Sequence, residues 1–255
     1  MKNIVFIPNI NCNDNRNSPY HYSVSSWKHW ASKHDNIEVV EWTEPIADPS
    51  HMKITLQRYW VFDILKHNNI EYDQVLIVDA DTIVHPDCPN FFNDTEYKFC
   101  GVINNGCYEW VTRSINDWGN NLFPYENKIK SWKYINGGFI IVNKTHIEFF
   151  NKVKDFYLSN LDRIKELTTL IKAGTDQTII NYLIQIHKVD IKYLPECYNL
   201  QDMFSKHLLF IPGHSWWTDE LIFLNAGWVY HFNAIPKNDR HVSYWMERTF
   251  KYLYK

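Results

Sequence analysis

Asp79-Ala80-Asp81 stands directly after the apolar run Val75-Leu76-Ile77-Val78. Two carboxylates separated by one residue can both reach a single ion if the turn between them kinks. Hard divalent cations such as Mg²⁺ and Mn²⁺ take oxygen ligands, so this pair suits them. The two acids can also divide the task, one on a metal and one on a ribose hydroxyl. Asp-x-Asp is common, and a polar turn that ends a strand explains it just as well. The apolar run before it favours chemistry, because a buried strand would place both carboxylates at a sheet end.

Elements of fitting type surround this pair. Ile4 to Ile7, bounded by Pro8, reads as a short buried strand. Helical spacing follows at Val24 to Lys33 and strand spacing at Ile37 to Trp42. The next helix is expected from about Met52 to Lys66, with Ser50 as its cap. With Val75 to Val78 this gives a β-α-β-α-β order, which implies a parallel sheet covered by helices and an α/β fold. Ligands of such sheets bind beyond the carboxyl ends of the strands, where Asp79 to Asp81 falls. Further on, Phe139 to Val142 reads as a buried strand, and Thr145 with Glu148 as a capping box for a helix to about Leu158. Asp176 to Gln185 reads as a helix, Val189 to Leu194 and Trp228 to Phe232 as strands, and Arg240 to Tyr254 as a closing amphipathic helix. No repeat and no shift of composition divides residues 1–255, so a single domain is expected.

Composition excludes several classes. The chain of 255 residues is 45% hydrophobic and 22% charged, which is globular and neither disordered nor fibrous. Lys and Arg number 26 against 29 Asp and Glu, a net charge of -3 without a basic patch, so no nucleic-acid partner is expected. Five cysteines with no Cys-x-x-Cys argue against a disulfide framework or a zinc site and for a reducing compartment. No run is long enough for a signal-peptide core or a membrane span, so the expectation is a soluble cytoplasmic protein. Aromatic residues make up 16% of the chain; most should fill the core, and some could offer flat faces to sugar rings.

Two enzyme classes share the local pattern. An apolar strand leading into Asp-x-Asp resembles the haloacid-dehalogenase-like phosphatases, in which the first Asp attacks phosphate. There the motif usually lies on the first strand, and no Gly-Asp-x-x-x-Asp follows in this chain. Four segments in order instead resemble the GT-A nucleotide-sugar glycosyltransferases, and among them the glycogenin-like and galactinol-synthase-like retaining family 8. They are Asp79-Ala80-Asp81, Asn136-Gly137-Gly138 with the apolar run Phe139 to Val142, Asp176-Gln177-Thr178-Ile179-Ile180-Asn181, and His231-Phe232-Asn233-Ala234-Ile235-Pro236-Lys237. Ala234 stands where the family has Gly, Gly137 differs at the middle of its motif, and Asn238 replaces a Trp.

The resemblance implies a metal-dependent hexosyltransferase. It would move glucose or galactose from a UDP-sugar to a hydroxyl acceptor, with retention. The Asp-x-Asp motif would hold Mn²⁺ or Mg²⁺ on the donor diphosphate, with His231 as third ligand; an imidazole suits Mn²⁺ better. Lys237 would offset charge on the leaving diphosphate. Asn136, Gly137 and Gly138, placed before a strand, would line the donor pocket. Asp176 would face the anomeric centre, Gln177 its β-face, and Arg58 the donor. Each has a plain alternative as a turn, cap or surface residue. For an inverting reaction, Asp219 or Glu220 after Trp216-Trp217 would be the general base. The acceptor loops are expected at Asn9 to Tyr20, Cys107 to Lys133 and Leu200 to Glu220. A phosphatase using Asp79, or a catalytically silent nucleotide- or sugar-binding module, is the alternative.

Overall fold

The computed structural model describes residues 2–11, 17–171, 173–211, 216–217, 220–237 and 240–255. A six-stranded sheet in the order β2-β1-β3-β6-β5-β7 forms its centre. The strands are β1 Asn3–Pro8, β2 Ile37–Trp42, β3 Gln74–Val78, β5 Phe99–Ile103, β6 Ile135–Asn143 and β7 Ile191–Leu194, with β4 at Thr82–Val84 outside this sheet. The expected parallel arrangement holds for β2, β1 and β3 and for β5 beside β7. Strand β6 alone runs against both neighbours. All of β3 is buried, which is why it reads as an unbroken apolar run with both faces covered. Each such Val, Leu or Ile contributes about 1.5–3 kcal/mol by leaving water.

Helices cover both faces. On one side lie α1 Tyr20–Ala31 and the closing helix α8 Val242–Leu253, which pack around fully buried Trp27, Trp30 and Trp245. On the other lie α2 Ile54–Gln57, α3 Val61–His67, α4 Tyr108–Leu122, α5 Ile147–Ser159, α6 Leu161–Ile171 and α7 Thr175–Ile186. Two short ribbons complete the fold: β10 Val229–His231 antiparallel to β4, and β8 Phe210–Ile211 with β9 Trp216–Trp217.

Several local expectations need correction. The helix expected over Met52 to Lys66 is broken by a 3₁₀ turn at Arg58–Trp60, where Arg58 turns its side chain inward. Ser50 does not cap it; Ser50 N–H instead donates to Asp48 Oδ1 in a local turn. The capping box before α5 is built by Asn143 and His146 rather than Thr145 and Glu148, because Asn143 presents its carboxamide straight off the end of β6. Asn136, Gly137 and Gly138 do not precede a strand but lie inside β6. The segment Cys107 to Lys133, expected as a loop, contains α4, whose buried Val111, Ile115 and Trp118 form a narrow stripe under a polar majority.

Candidate metal and donor site

The Asp79-Ala80-Asp81 turn is held from three sides. Asp79 N–H donates to Gly138 O of the adjacent strand at 3.0 Å. Thr82 Oγ1 donates to Asp79 O at 2.8 Å and accepts from Trp27 Nε1 at 3.0 Å, so a buried helix residue fixes the kink. Phe232 N–H donates to Asp81 O at 2.8 Å. The pairing of β10 with β4 sets His231 opposite Thr82. The imidazole thereby returns over the two carboxylates, 150 residues later in the chain.

One carboxylate oxygen of each aspartate and a ring nitrogen of His231 lie within 4.8 Å of one another. His231 Nε2 is 3.1 Å from Asp81 Oδ1 and 3.6 Å from Asp79 Oδ2. Nε2 is buried and, among the described residues, has these two carboxylates as neighbours without a well-aligned hydrogen bond to either. Arg58, 5% exposed, closes the other side. Its Nη1 donates to Asp79 Oδ1 and to Gly137 O, each at 2.7 Å, and its Nη2 lies 3.8 Å from Asp176 Oδ2. A buried ionised guanidinium needs such partners. Arg58 therefore ties together three segments that sequence spacing leaves unrelated.

The charges do not balance. Asp79 and Asp176 share the one Arg58 guanidinium, while Asp81 faces His231. Burial, with the charges of Asp81 and Asp176, pushes the Asp79 carboxyl up against the pull of Arg58 and His231. Burial disfavours a charged His231, but Asp81, Asp79 and Asp202 outweigh it and raise its pKa. Burial likewise opposes charge on Arg58, and Asp79 and Asp176 overcome it. A cluster that raises both its acids and its bases lacks positive charge. Two carboxylate oxygens and one imidazole nitrogen are a donor set that takes a divalent ion, Mn²⁺ more readily than Ca²⁺. Gly138 makes room for it: a Cβ there would lie 2.4 Å from His231 Cε1 and 2.5 Å from Asp79 Oδ2.

The carboxylates stand between two cavities that share Thr55, Arg58, Asp79 and Asp81. One, of about 140 Å³, lies over the end of β1 against Pro8, Ile10, Asn17 and Tyr20. The other, of about 550 Å³, is lined by Asn136, Gly137, Gly138, Asp176, Gln177 and His231, and also by Asn104, Trp110 and Asp202. Ala80 lines the smaller cavity. Lys237 is exposed and lines neither. Ala234 lines the larger one with φ +54°, a conformation that favours Gly. Glu220 is exposed beside a separate depression with Tyr252 and Lys255. Asp219, Thr218 and Asn238 lie outside the described residues, as do 12–16 of the Asn9 to Tyr20 loop.

Sequence reasoning missed Asn199 and Asp202. Asn199 is fully buried with its Oδ1 3.1 Å from His231 Nδ1. Asp202 is held by Asn233 through Oδ1, and burial raises its pKa. Nothing in Tyr198-Asn199-Leu200-Gln201-Asp202 marks either, since both lie in irregular chain with no motif around them.

No protein-family model matches this sequence, and no curated protein matches it. Solved structures do. One is a glycosyltransferase involved in the glycosylation of the major capsid of PBCV-1, with 11% identity and a TM-score of 0.60 over 97% of this chain and 100% of that one. Another is the glycosyltransferase GlyE of Streptococcus pneumoniae TIGR4, with 14% identity and a TM-score of 0.47. It is covered to 61% of its length by the whole of this chain. The first likeness spans nearly all of both chains, and the fold is of the GT-A-like α/β kind. Among the described residues, no helix is long and apolar enough to cross a membrane.

Proposed function

We propose that this chain is a divalent-metal-dependent glycosyltransferase, a single catalytic domain that moves a hexose from a UDP-sugar to a hydroxyl acceptor. The observation that carries this reading is the Asp79–Asp81–His231 cluster standing between a small cavity and a large one. A nucleotide sugar has the same plan: a nucleoside, a doubly charged bridge and a sugar. The small cavity at the end of β1 suits the nucleoside, and the large one the hexose and the incoming acceptor. A bound metal would neutralise the diphosphate as the bond to the anomeric carbon breaks.

The chain's own groups have definite tasks in this reading. Asp79 and Asp81 would hold the ion with His231. Arg58 pulls Asp79 toward its ionised form and aims it, and Arg58 lines both cavities. Asp176 lines the sugar side, where a carboxylate stabilises positive charge at the anomeric centre. The backbone at Gly137 and Gly138 lets the sugar approach closely. Lys237 sits on the loop after His231, and its part in offsetting charge on the leaving diphosphate follows the family resemblance. Retention, UDP, and glucose or galactose follow the family resemblance. The fold likeness favours transfer over a phosphatase built on Asp79, whose Oδ1 is already engaged by Arg58.

A donor screen tests the reading. Purified protein with Mn²⁺ and a panel of nucleotide sugars is scored for free nucleotide. Release of UDP from a UDP-hexose, abolished by EDTA, is expected. Phosphate release from monoesters without sugar transfer would sink the proposal, and UDP binding with no donor turnover would leave a silent binding module.

A further inference from the structure

Four buried side chains join the sugar side of the large cavity to the metal cluster: Gln177, Asn136, Asn199 and His231. Two peptide N–H groups fix the direction of every amide in the chain. Gly138 N–H donates to Asn136 Oδ1 at 2.8 Å. A peptide N–H can only donate, so the atom it meets is the oxygen, and Asn136 Nδ2 faces Gln177. Gly137 N–H likewise donates to Gln177 Oε1 at 3.0 Å, which also accepts from Asn136 Nδ2 at 3.2 Å. Asn136 Oδ1 takes its second hydrogen bond from Asn199 Nδ2 at 3.1 Å. Asn199 Oδ1 is thereby turned onto His231 Nδ1, at 3.1 Å.

An amide oxygen can only accept. In the neutral ring the proton must therefore sit on Nδ1, and the lone pair on Nε2. Nε2 is the atom that faces Asp79 and Asp81, with no well-aligned hydrogen bond to either. The opposite tautomer would set two acceptors against each other at Nδ1 and aim an N–H at the metal position; Asp81 Oδ1 competes for that proton at 3.1 Å, but without a well-aligned hydrogen bond to hold it.

We infer that Asn199 is a positioning residue that fixes the His231 tautomer, and that the relay Gly138–Asn136–Asn199 presets Nε2 as a metal ligand before any ion arrives. Second partners of this kind orient metal-bound histidines. The inference rests on the metal reading of the cluster. The same relay bears on Gln177. Its Oε1 is consumed by two N–H donors, and its buried Nε2 lies on the side of the Tyr134 hydroxyl. The relay thus occupies the Gln177 oxygen, which is not left free to act as a nucleophile.

The test reads the tautomer directly. In metal-free protein, at a pH where the ring is neutral, the ¹⁵N shifts of His231 are assigned against His231→Gln. Wild type should carry its proton on Nδ1. Asn199→Leu removes the acceptor; it should populate both tautomers and weaken Mn²⁺ binding about 10–100-fold, the usual cost of losing such a partner. Asn199→Asp keeps an acceptor oxygen, so it should retain the Nδ1–H tautomer and bind Mn²⁺ more tightly than Asn199→Leu. If Asn199→Leu does not fold, wild type and Asn199→Asp decide. A proton on Nε2 in wild type overturns the inference, as does an Asn199→Leu protein with unchanged tautomer and Mn²⁺ affinity. Nδ1–H in a wild type that binds no Mn²⁺ would sink the metal reading while the relay stands.

Discussion

Gly138 and His231 are in such close contact that a Cβ on Gly138 would lie 2.4 Å from His231 Cε1. Gly138 is held in β6, between β3 and β5, and His231 in β10, against β4, so neither side can retreat cheaply. Gly138→Ala should therefore push His231 or Asp79 out of place. The expected outcome is at least a tenfold loss of Mn²⁺ affinity and a stability loss of about 1–3 kcal/mol from overpacking. Gly137→Ala is the control. Its nearest neighbour, Gln177 Cβ, would be 3.5 Å away, an ordinary contact. Calorimetric Mn²⁺ titration of both proteins checks the pair; equal behaviour would show that the glycine cradle has no part in holding the ion.

Proton linkage gives a second expectation. The folded pKa of His231 lies above its ordinary value of 6.5. The proton bound there stabilises the metal-free fold fully below pH 6.5, and this contribution is lost as pH rises through the raised folded value. The shift of Asp79 has the same sign, from its ordinary 3.8 upward. Metal-free stability should thus fall as pH climbs past neutrality. Mn²⁺ affinity should rise over that window, by at most about tenfold per pH unit, because one proton must leave Nε2. Denaturant midpoints and Mn²⁺ titrations between pH 6 and 9 measure both slopes. His231→Gln should remove the His-linked part of each, and a flat wild-type profile would refute the raised pKa.

The sheet end was legible in the sequence because burial on both faces leaves an unmistakable mark, as in Val75 to Val78. The carboxylates that follow it stand out for the same reason. Asn136-Gly137-Gly138 was misplaced because paired glycines read as a turn; inside β6 they serve close approach to His231 and Gln177 instead. Strand β5 hid behind Cys100 and Gly101, which weaken its strand character. His231 was visible only through family resemblance, since a three-residue strand carries no period. Asn199 was invisible: its importance lies in which atom it turns to His231, and spacing does not encode that. Arg58 looked like a surface residue on a helix and is an anchor, because the helix breaks at that point.

Ala234 supplies a stability test. Its φ of +54° places a Cβ in the left-handed region, where a non-glycine residue costs on the order of 1–3 kcal/mol. Ala234→Gly relieves this and loses some of the gain to backbone entropy. The expected result is about 1 kcal/mol of added stability, or roughly 2–4 °C in Tm for a chain of this size. Thermal unfolding in the presence of EDTA separates this from any change in metal binding. A lower Tm for Ala234→Gly would contradict the strain argument.

The two aspartates should fail differently. Asp79 holds Arg58 at 2.7 Å, and Arg58 is buried, whereas Asp81 is the closer acid to His231 Nε2. Asp79→Asn leaves buried Arg58 with Gly137 O and the more distant Asp176, and should cost more metal-free stability than Asp81→Asn, as well as the metal. Asp81→Asn relieves like-charge repulsion at Asp79 and should keep or raise metal-free stability while losing the metal. Both variants should bind UDP poorly in Mn²⁺ and unchanged without it, if the ion bridges the diphosphate. Calorimetry of UDP with and without Mn²⁺, beside denaturant unfolding, reads all of these. Equal stability losses in the two variants would show that the Arg58–Asp79 pair does not anchor the turn. A wild type whose UDP affinity ignores Mn²⁺ would remove the diphosphate-bridging role from Asp79 and Asp81 altogether.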